Sequence, residues 1–394
     1  MSKLSIKDLD LKDKVVFIRV DFNVPLTAGG QEITSDKRIR ASLPTIQYAL
    51  EHCSGVILGS HLGRPKGKRN PEMSLAPIAA RLAELLGKPV TLAPDSVGLD
   101  VVALRPKPGE VLLLENLRFH AGEEGNDPEF SRRLASLADV YINDAFGSAH
   151  RAHASTVGMI AHMPQAAAGL LMDREIEWLG KAIKSPDRPC IALLGGAKVS
   201  DKIEVIQNLI TVVDKLLIGG AMAYTFLRAK NEGTGKSLVE EDKVELARQL
   251  IATAASKLVL PLDHIVVREI KPGAAYEAVT TIADGMIAVD IGPKTIEEYS
   301  KIISTAKTII WNGPMGIFEM PPFDTGTVEL AKAVADSSAV SIVGGGDSEK
   351  AIKTAGVSDK ITHISTGGGA SLEFLGGAEL PGVAALTEKP PAGQ

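Results

Sequence analysis

Short apolar runs alternate with longer segments of helical periodicity along almost the whole chain. In the first 170 residues, each apolar run leads into a loop rich in polar and basic residues. These runs with their loops are 15–23, 56–65, 111–119 and 140–153. Alternation of strands with amphipathic helices is typical of βαβ units, which build parallel sheets.

In the later residues, similar apolar runs end in glycine instead. They are 191–198, 216–224, 309–316, 340–348 and 363–371. Glycine loops that open helices let backbone N–H groups approach phosphates. Ligands of open parallel sheets bind at the carboxyl ends of the strands, so both sets of loops are predicted to lie on ligand-facing edges.

The fold predicted from this pattern is α/β, with two Rossmann-like lobes at 1–170 and 186–375. Each lobe is predicted to be a parallel sheet flanked by helices, which are expected at 40–52, 75–86, 129–138, 202–213, 239–256, 295–306, 327–336 and 349–355. Segment 169–184 has helical spacing and predicts a hinge helix, assigned to 171–185, between lobes that surround a cleft. An ordinary helix packed on the first sheet would show the same pattern.

Composition and charge narrow the classes of protein. A length of 394 residues corresponds to two or three domains, and a net charge of −5 argues against nucleic-acid binding. Eleven of the sixteen arginines and six of the eight histidines lie in the first 170 residues. Because arginine recognises phosphate and carboxylate bidentately, this excess indicates an anion site, although a solvated basic face would give the same count.

The cysteines and the apolar runs indicate a cytoplasmic protein. Cys53 and Cys190 lie far apart without zinc-site spacing, and both are expected to be buried, reduced thiols. The polar N-terminal segment does not resemble a signal peptide. A membrane span, which needs about 18 uninterrupted apolar residues, is not predicted.

In the first lobe, candidate anion ligands follow the strands. Asp21 and Asn23 alternate with apolar residues and are predicted to point the same way. Taken alone, the motif is explained slightly better by turn chemistry. Arg38 and Arg40 begin a helix, where only one of them is expected to reach a ligand.

Further candidates stand in three other loops of the first lobe. His61 and Arg64 lie in a Gly/Pro loop, which suits a phosphate monoester, while Arg118 and Arg151 end later runs. Each of these residues is weak evidence by itself. Their shared position after strands makes the set informative.

In the second lobe, the candidates suit nucleotide phosphates. Lys198 and Lys202 are spaced i,i+4 and are predicted to lie on one face of a helix's first turn, where a lysine can neutralise a transferring phosphoryl group. Asp347, directly after three glycines, is a candidate Mg²⁺ ligand. Glu319 is expected to reach a ribose hydroxyl, and 365–371 gives a further set of N–H donors.

Two nucleotide motifs are absent. The GTGKS sequence at 233–237 resembles the end of a P-loop, but Lys230 stands where the motif requires glycine and no apolar strand precedes it. A GxGxxG motif following a strand is also missing. A dinucleotide-dependent dehydrogenase therefore has little support.

Taken together, the motifs resemble those of the phosphoglycerate kinase family, in order, from about residue 19 to residue 382. They are RVDFNVP, SHLGRPKG, LLLENLRF, NDAFGSAHRAHAS, LGGAKVSDKI, IGGAMAYTF, WNGPMGIFE, VGGGDS and HISTGGGASLEFL. One departure is Ala221, where many members carry a third glycine. The resemblance implies a monomeric, hinge-bending glycolytic kinase that moves the acyl phosphate of 1,3-bisphosphoglycerate to MgADP, giving 3-phosphoglycerate and MgATP.

The resemblance also implies roles for individual residues. Phosphoglycerate is held in the N-terminal lobe by Asp21, Asn23, Arg38, His61, Leu62, Gly63, Arg64, Arg118 and Arg151. The nucleotide is held in the C-terminal lobe by Lys198, Lys202, Gly292, Glu319, Gly344, Gly345, Gly346, Asp347 and Ser348. Arg38 and Lys198 are the implied catalytic residues, Asp347 the implied Mg²⁺ ligand, and the tail 376–394 is implied to pack on the first lobe.

The chemistry of this reaction agrees with the residues present. The carboxylate of 3-phosphoglycerate is already ionised at neutral pH, so it attacks without a general base. A two-lobed binding protein is the remaining rival. Such a protein would share an anion pocket but would not need Lys198 beside glycine loops.

Overall fold

Buried apolar strands form two separate parallel sheets, one in each of two units of the chain. The computed structural model describes residues 3–390. The first unit extends to Ile176 and includes the chain from Glu379 onward, while the second covers Glu177–Ala378. Within the described residues, no helix combines the length and the apolar character needed to cross a bilayer.

The first unit contains a six-stranded sheet in the order β3-β4-β2-β1-β5-β6, and every pairing in it is parallel. Its strands are β1 (Val15–Arg19), β2 (Gly55–Gly59), β3 (Val90–Leu92), β4 (Val111–Leu113), β5 (Val140–Asn143) and β6 (Ala166–Ala168). Its helices are α1 (Lys37–His52), α2 (Ala76–Leu86), α3 (Leu99–Val102), α4 (Ala121–Glu124), α5 (Pro128–Ala135) and the start of α6 (Leu170–Lys184).

The sheet of the first unit is the centre of its core. Strands β1, β2, β4 and β5 are buried at every position, as expected for a parallel sheet covered on both faces. Helices α1 and α2 contribute apolar residues such as Ile46 and Leu82 to this core. The boundary between the units falls within α6.

The described part of the C-terminal segment packs on the first unit and includes α14 (Pro381–Ala384). Gly382 donates its N–H to the Ala149 carbonyl at 2.8 Å, and Asn143 donates to the Gly382 carbonyl at 3.1 Å. Thr387 donates to the Ala166 carbonyl at 2.9 Å. Residues 391–394 of the predicted tail lie outside the described residues.

The second unit contains another parallel six-stranded sheet, in the order β15-β14-β13-β7-β8-β9. Its strands are β7 (Cys190–Leu194), β8 (Lys215–Ile218), β9 (Leu258–Val259), β13 (Thr308–Asn312), β14 (Val340–Gly344) and β15 (His363–Ile364). Its helices are the end of α6 with α7 (Ile203–Val212), α8 (Met222–Ala229), α9 (Val244–Ala254), α10 (Pro293–Ser304), α11 (Thr325–Asp336), α12 (Gly346–Thr354) and α13 (Gly369–Leu375).

A small antiparallel sheet in the second unit differs from the pattern predicted by sequence. It pairs β10 (His264–Val267) with β11 (Tyr276–Val279) and β12 (Ile287–Ile291). Most of β11 is exposed, so it has no run of buried apolar residues by which it could be recognised. The GTGKS segment follows helix α8 rather than a strand.

Candidate functional site

The loops after the strands of the first unit hold one set of candidate ligands. Strand β1 ends at Arg19, so Asp21 and Asn23 lie in the following loop rather than in the strand itself. Asp21 accepts a hydrogen bond from Arg38 at 2.6 Å. Asn23 accepts one from the Gly63 N–H at 2.9 Å, which ties this loop to the His61 loop.

Arg38 and Arg40 separate as predicted from their helical spacing. Arg38 stands in the first turn of α1, where it reaches the buried Asp21 and is itself half-exposed. Arg40 pairs instead with Asp36, which also accepts from Arg81. Of the two predicted candidates, only Arg38 is joined to another candidate residue.

His61 contacts Arg19, a buried arginine that was not among the ligand-site residues predicted from the sequence. The Arg19 side chain is 1% exposed, and its Nη2 lies 3.1 Å from His61 Nδ1. Burial, together with the guanidinium groups of Arg19, Arg118 and Arg151, holds the pKa of His61 well below its usual value. The ring is therefore neutral at physiological pH.

Asn116 fixes the loop that carries Leu62 and Gly63. Its amide Oδ1 accepts from the Leu62 and Arg118 N–H groups, at 3.2 and 3.1 Å, and its Nδ2 donates to the Leu62 and Met73 carbonyls, at 2.8 and 2.9 Å. The same loop is held by Arg118, whose Nη1 donates to the Gly63 carbonyl at 2.8 Å.

The remaining cations of this set differ in how they are held. Arg118 is buried, and desolvation lowers its pKa from the usual value, while Glu124 lies 3.4 Å from its Nε. Arg151 donates from Nε to His150 at 3.2 Å. Arg64 is exposed, and between residues 3 and 390 its side chain has neither a hydrogen bond nor an ion pair. Arg64 is thus a cation available to a ligand.

The glycine loops of the second unit pack against one another at backbone distance. A Cβ added at Gly195 would lie 1.9 Å from the Pro314 carbonyl oxygen, and one at Gly220 would lie 2.5 Å from the Gly196 nitrogen. Gly220 also has a φ of +67°, which side chains rarely adopt. These glycines are needed for the loops to meet as well as for any approach of a ligand.

Lys198 and Lys202 do not share a helix face, contrary to the prediction from their spacing. Lys198 precedes the 3-10 turn Ser200–Lys202 that leads into α7, and it is exposed with no side-chain partner in the described chain. Lys202 is buried, and its Nζ donates to the carbonyl and the side-chain oxygen of Asn312. The loop before the helix breaks the i,i+4 geometry that the prediction assumed.

Burial makes Lys202 an unusual lysine. Desolvation lowers its pKa to about 8, against the opposing effects of Asp201 and Asp347. Asn312, which the sequence analysis did not select, holds Lys202 and also donates to the Gly344 carbonyl at 2.9 Å. It therefore joins the lysine to the glycine tract after β14.

The glycine tract 344–346 leads directly into α12. Gly345 has a φ of +93° and occupies the N-cap, and as a glycine it brings no capping side chain of its own. Gly346 has open space around its Cα, and Asp347 is exposed, 3.6 Å from Lys350. Ser348 is fully buried and accepts a hydrogen bond from the Gly313 N–H at 2.6 Å. The helix terminus itself is accessible, whereas Ser348 holds the neighbouring loop.

The other nucleotide candidates lie at different points of the second unit. Glu319 is exposed in the loop after β13. Gly292 is the N-cap of α10, where Asp263 accepts from the Lys294 and Thr295 N–H groups. The Asp263 carboxylate already caps α10, and Gly292 lets the backbone pass close to that carboxylate. The predicted nucleotide contact of Gly292 stays a prediction.

Two kinds of surface suited to anions thus occur in one chain, with buried cations in one unit and open amide groups in the other. This combination defines an enzyme that handles phosphorylated substrates. The family model of phosphoglycerate kinase matches residues 6–378. The chain belongs to the phosphoglycerate kinase family and is therefore a phosphotransferase.

Individual relatives support the same assignment. The chain is 71% identical over 389 residues to the phosphoglycerate kinase of Solibacter usitatus, covering 98% of this chain and 100% of that protein. It is 58% identical over 396 residues to the enzyme of Moorella thermoacetica, covering 99% and 100%. The solved structure of the phosphoglycerate kinase from Coxiella burnetii aligns with a TM-score of 0.91 at 42% identity, covering 98% of each chain.

A solved structure from a more distant organism agrees. The phosphoglycerate kinase of Pyrococcus horikoshii OT3 aligns with a TM-score of 0.84 at 37% identity, covering 97% of this chain and 98% of that one. The predicted α/β fold with two parallel-sheet lobes is confirmed by these likenesses.

Proposed function

We propose that this chain transfers the acyl phosphate of 1,3-bisphosphoglycerate to MgADP, and that it runs the reverse reaction with MgATP. The first unit binds the phosphoglycerate and the second binds the nucleotide. The observation that carries this assignment is the contrast between the two loop sets. Guanidinium groups surround neutral His61 in one unit, while helix α12 begins at the third of three consecutive glycines in the other.

The first unit is suited to a small, multiply charged anion. Arg64 is exposed and has no side-chain partner among residues 3–390. Arg118 is buried and donates to the Gly63 carbonyl of the neighbouring loop. Arg38 lies at the half-exposed rim of this set, next to Asp21. We assign Arg38 to the transferring group, and Asp21 and Asn23 to the substrate's hydroxyl and oxygens.

The second unit is suited to the phosphates of a nucleotide. Exposed Lys198 is free to meet the transferring phosphoryl group, whereas Lys202 is fixed beside Asn312 and the glycine tract. Gly346 leaves room for phosphate oxygens at the start of α12, whereas a Cβ at Gly345 would lie 3.0 Å from Asn312 and one at Gly344 would lie 3.5 Å from Ser371. We assign Gly344 and Gly345 to the same nucleotide site through their backbone. Glu319 is assigned to the ribose.

The donor set fits a Mg²⁺ ion that enters with the nucleotide. The described residues contain no group of three or more His, Cys, Asp or Glu side chains able to hold a metal. Asp347 supplies one exposed carboxylate at the terminus of α12, and Mg²⁺ commonly takes one or two carboxylates plus substrate phosphates. When bound, the ion would neutralise charge on the phosphate oxygens.

Catalysis in this proposal consists of alignment and neutralisation of charge. The attacking carboxylate needs no base, and the side chains near it are cations. Direct transfer requires reacting atoms about 3–3.5 Å apart, so the proposal includes a hinge movement that brings the two ligands together. Small-angle scattering with both substrates bound should show a smaller radius of gyration than without them, and an unchanged radius contradicts the hinge.

We further propose that the protein acts as a monomer in the cytoplasm. Support for a reducing compartment comes from Cys53 and Cys190, which are both free thiols. Cys190 is buried, while Cys53 is half-buried, which differs from the expectation that both are buried.

A coupled assay with ATP, Mg²⁺ and 3-phosphoglycerate tests the function. We expect turnover that requires all three, and a loss of at least about 100-fold in Lys198→Ala. Lys230→Ala is the matched control, because Lys230 is an exposed lysine of the same unit that pairs with Glu232. Absence of turnover in the unmodified protein would refute the proposal.

A further inference from the structure

A chain of buried hydrogen bonds runs from His61 to a carboxylate that the proposed mechanism does not use. Arg19 Nη2 lies 3.1 Å from His61 Nδ1, and Arg19 Nε donates to Ser155 Oγ at 2.7 Å. Ser155 Oγ lies 2.6 Å from Glu123 Oε1, and the Ser155 N–H donates to Glu123 Oε2 at 3.0 Å. All four residues are buried.

The direction of every bond in this chain is fixed by what each group can do. A guanidinium only donates, so His61 Nδ1 must accept and Ser155 Oγ must accept from Arg19. The single hydroxyl hydrogen of Ser155 is then left for Glu123 Oε1. Both oxygens of Glu123 therefore accept, which is the arrangement that suits a carboxylate.

We infer that Glu123 is a positioning residue for the phosphoglycerate site, acting through Ser155 and Arg19 to keep His61 neutral with its proton on Nε2. That nitrogen has no hydrogen-bond partner among residues 3–390, so its N–H is left for an oxygen of the substrate. The role in substrate binding rests on the proposed function, whereas the inferred tautomer of His61 does not depend on it.

The charges around the chain support this reading. His61 faces Arg19, Arg38, Arg118 and Arg151, which together with burial keep it from taking up a proton. Burial raises the pKa of Glu123, and this effect is opposed by Arg19, by the two hydrogen bonds from Ser155 and by Arg118. Glu123 Oε1 also lies 3.9 Å from His153 Nδ1. Burial lowers the pKa of His153 to about 4, so it too is neutral. Glu123 is the carboxylate joined to Arg19 through hydrogen bonds.

The test is ¹⁵N NMR of protein labelled at histidine, with His61→Gln used to assign the His61 signals. In the unmodified, ligand-free protein we expect one neutral tautomer, protonated at Nε2, from pH 6 to 9. Glu123→Gln keeps the shape but replaces one acceptor oxygen with an N–H group, so the side chain can no longer accept both hydrogen bonds from Ser155. We expect the tautomer ratio to shift about tenfold toward Nδ1–H and the KM for 3-phosphoglycerate to rise about tenfold, with little change in kcat.

Ser155→Ala provides a second, smaller perturbation with the same expected shifts, and it decides the question if Glu123→Gln does not fold. Asp290→Asn is the control for loss of a buried carboxylate, because Asp290 lies in the other unit and should leave the His61 signals unchanged. A charged or Nδ1-protonated His61 in the unmodified protein overturns the inference. So does a variant that raises the KM while the tautomer stays the same. Inactive protein with the expected tautomer would contradict the proposed function alone.

Discussion

Asn116 offers a direct test of how the loop that carries Leu62 and Gly63, the proposed phosphoglycerate loop, is held. We consider Asn116→Asp, which preserves the size of the side chain and the acceptor Oδ1 but removes the two N–H donors. Those donors bind the Leu62 and Met73 carbonyls at 2.8 and 2.9 Å, and Asn116 is 0% exposed. Water therefore does not reach the side chain to replace the lost bonds.

The magnitude follows from the number of groups left unpaired. Each buried polar group without a partner costs about 1–3 kcal/mol, so two carbonyls together cost about 2–6 kcal/mol. A carboxyl group that keeps its proton can still donate to one carbonyl, so only one carbonyl is left unpaired and the expected loss falls to about 1–3 kcal/mol. The Leu62–Gly63 backbone should also shift, and the KM for 3-phosphoglycerate should rise.

Urea denaturation measures the first effect and the coupled kinase assay the second. Asn70→Asp is the matched control, because Asn70 caps the 3-10 turn Pro71–Met73 through its side-chain oxygen, which aspartate also supplies. We expect the control to change the free energy of unfolding by less than about 0.5 kcal/mol. If Asn116→Asp is as stable as the control, the free energy assigned to the two lost hydrogen bonds is wrong. If it is destabilised but binds substrate normally, Asn116 does not position the loop.

Three other outcomes are expected. Arg38→Ala should lower turnover at least about 100-fold, the scale for loss of one charge-stabilising donor, and unchanged turnover would remove it from the mechanism. Arg64→Ala should raise the KM for phosphoglycerate with little effect on stability, since Arg64 has no partner to lose in the described chain; a normal KM contradicts its role. Burial raises the pKa of Asp144 to about 7, so the folded state retains a proton that the unfolded state releases, and this carboxyl costs stability as pH rises from about 4 to 7. Asp144→Asn should therefore gain stability relative to the unmodified protein over that range, by on the order of 4 kcal/mol in urea denaturation, and a constant difference would show that the carboxyl does not titrate there.

Strand and helix positions could largely be predicted from sequence, because an element with a buried face has apolar residues at regular spacing along the chain. The apolar runs that open at Val15, Val111 and Val140 coincide with the starts of β1, β4 and β5. Strand β4 ends at Leu113, and the rest of the range 111–119 belongs to the loop that was predicted to follow it. The exposed strand β11 was missed because it has no run of buried apolar residues.

The candidate site likewise contains residues that could be predicted from the sequence and residues that could not. Arg64, Arg118 and Lys198 could be selected because cations directly after strands are uncommon and chemically suggestive. Arg19 and Asn116 were not selected, since one lies within a strand and the other looks like an ordinary turn residue. Their importance comes from partners, and a partner distant in sequence leaves no local signal.

The amino-acid sequence by itself determined the α/β class, the alternation of elements and the two kinds of loop, because each depends on neighbours along the chain. Only the tertiary structure decided that Lys202 is buried while Lys198 is exposed, and that His61 is a neutral ring oriented by Arg19. Lys202 is held by Asn312, 110 residues away, and His61 by a strand residue 42 positions earlier. Burial and hydrogen bonding between such distant residues set protonation and orientation, and they exist only once the sheets have formed.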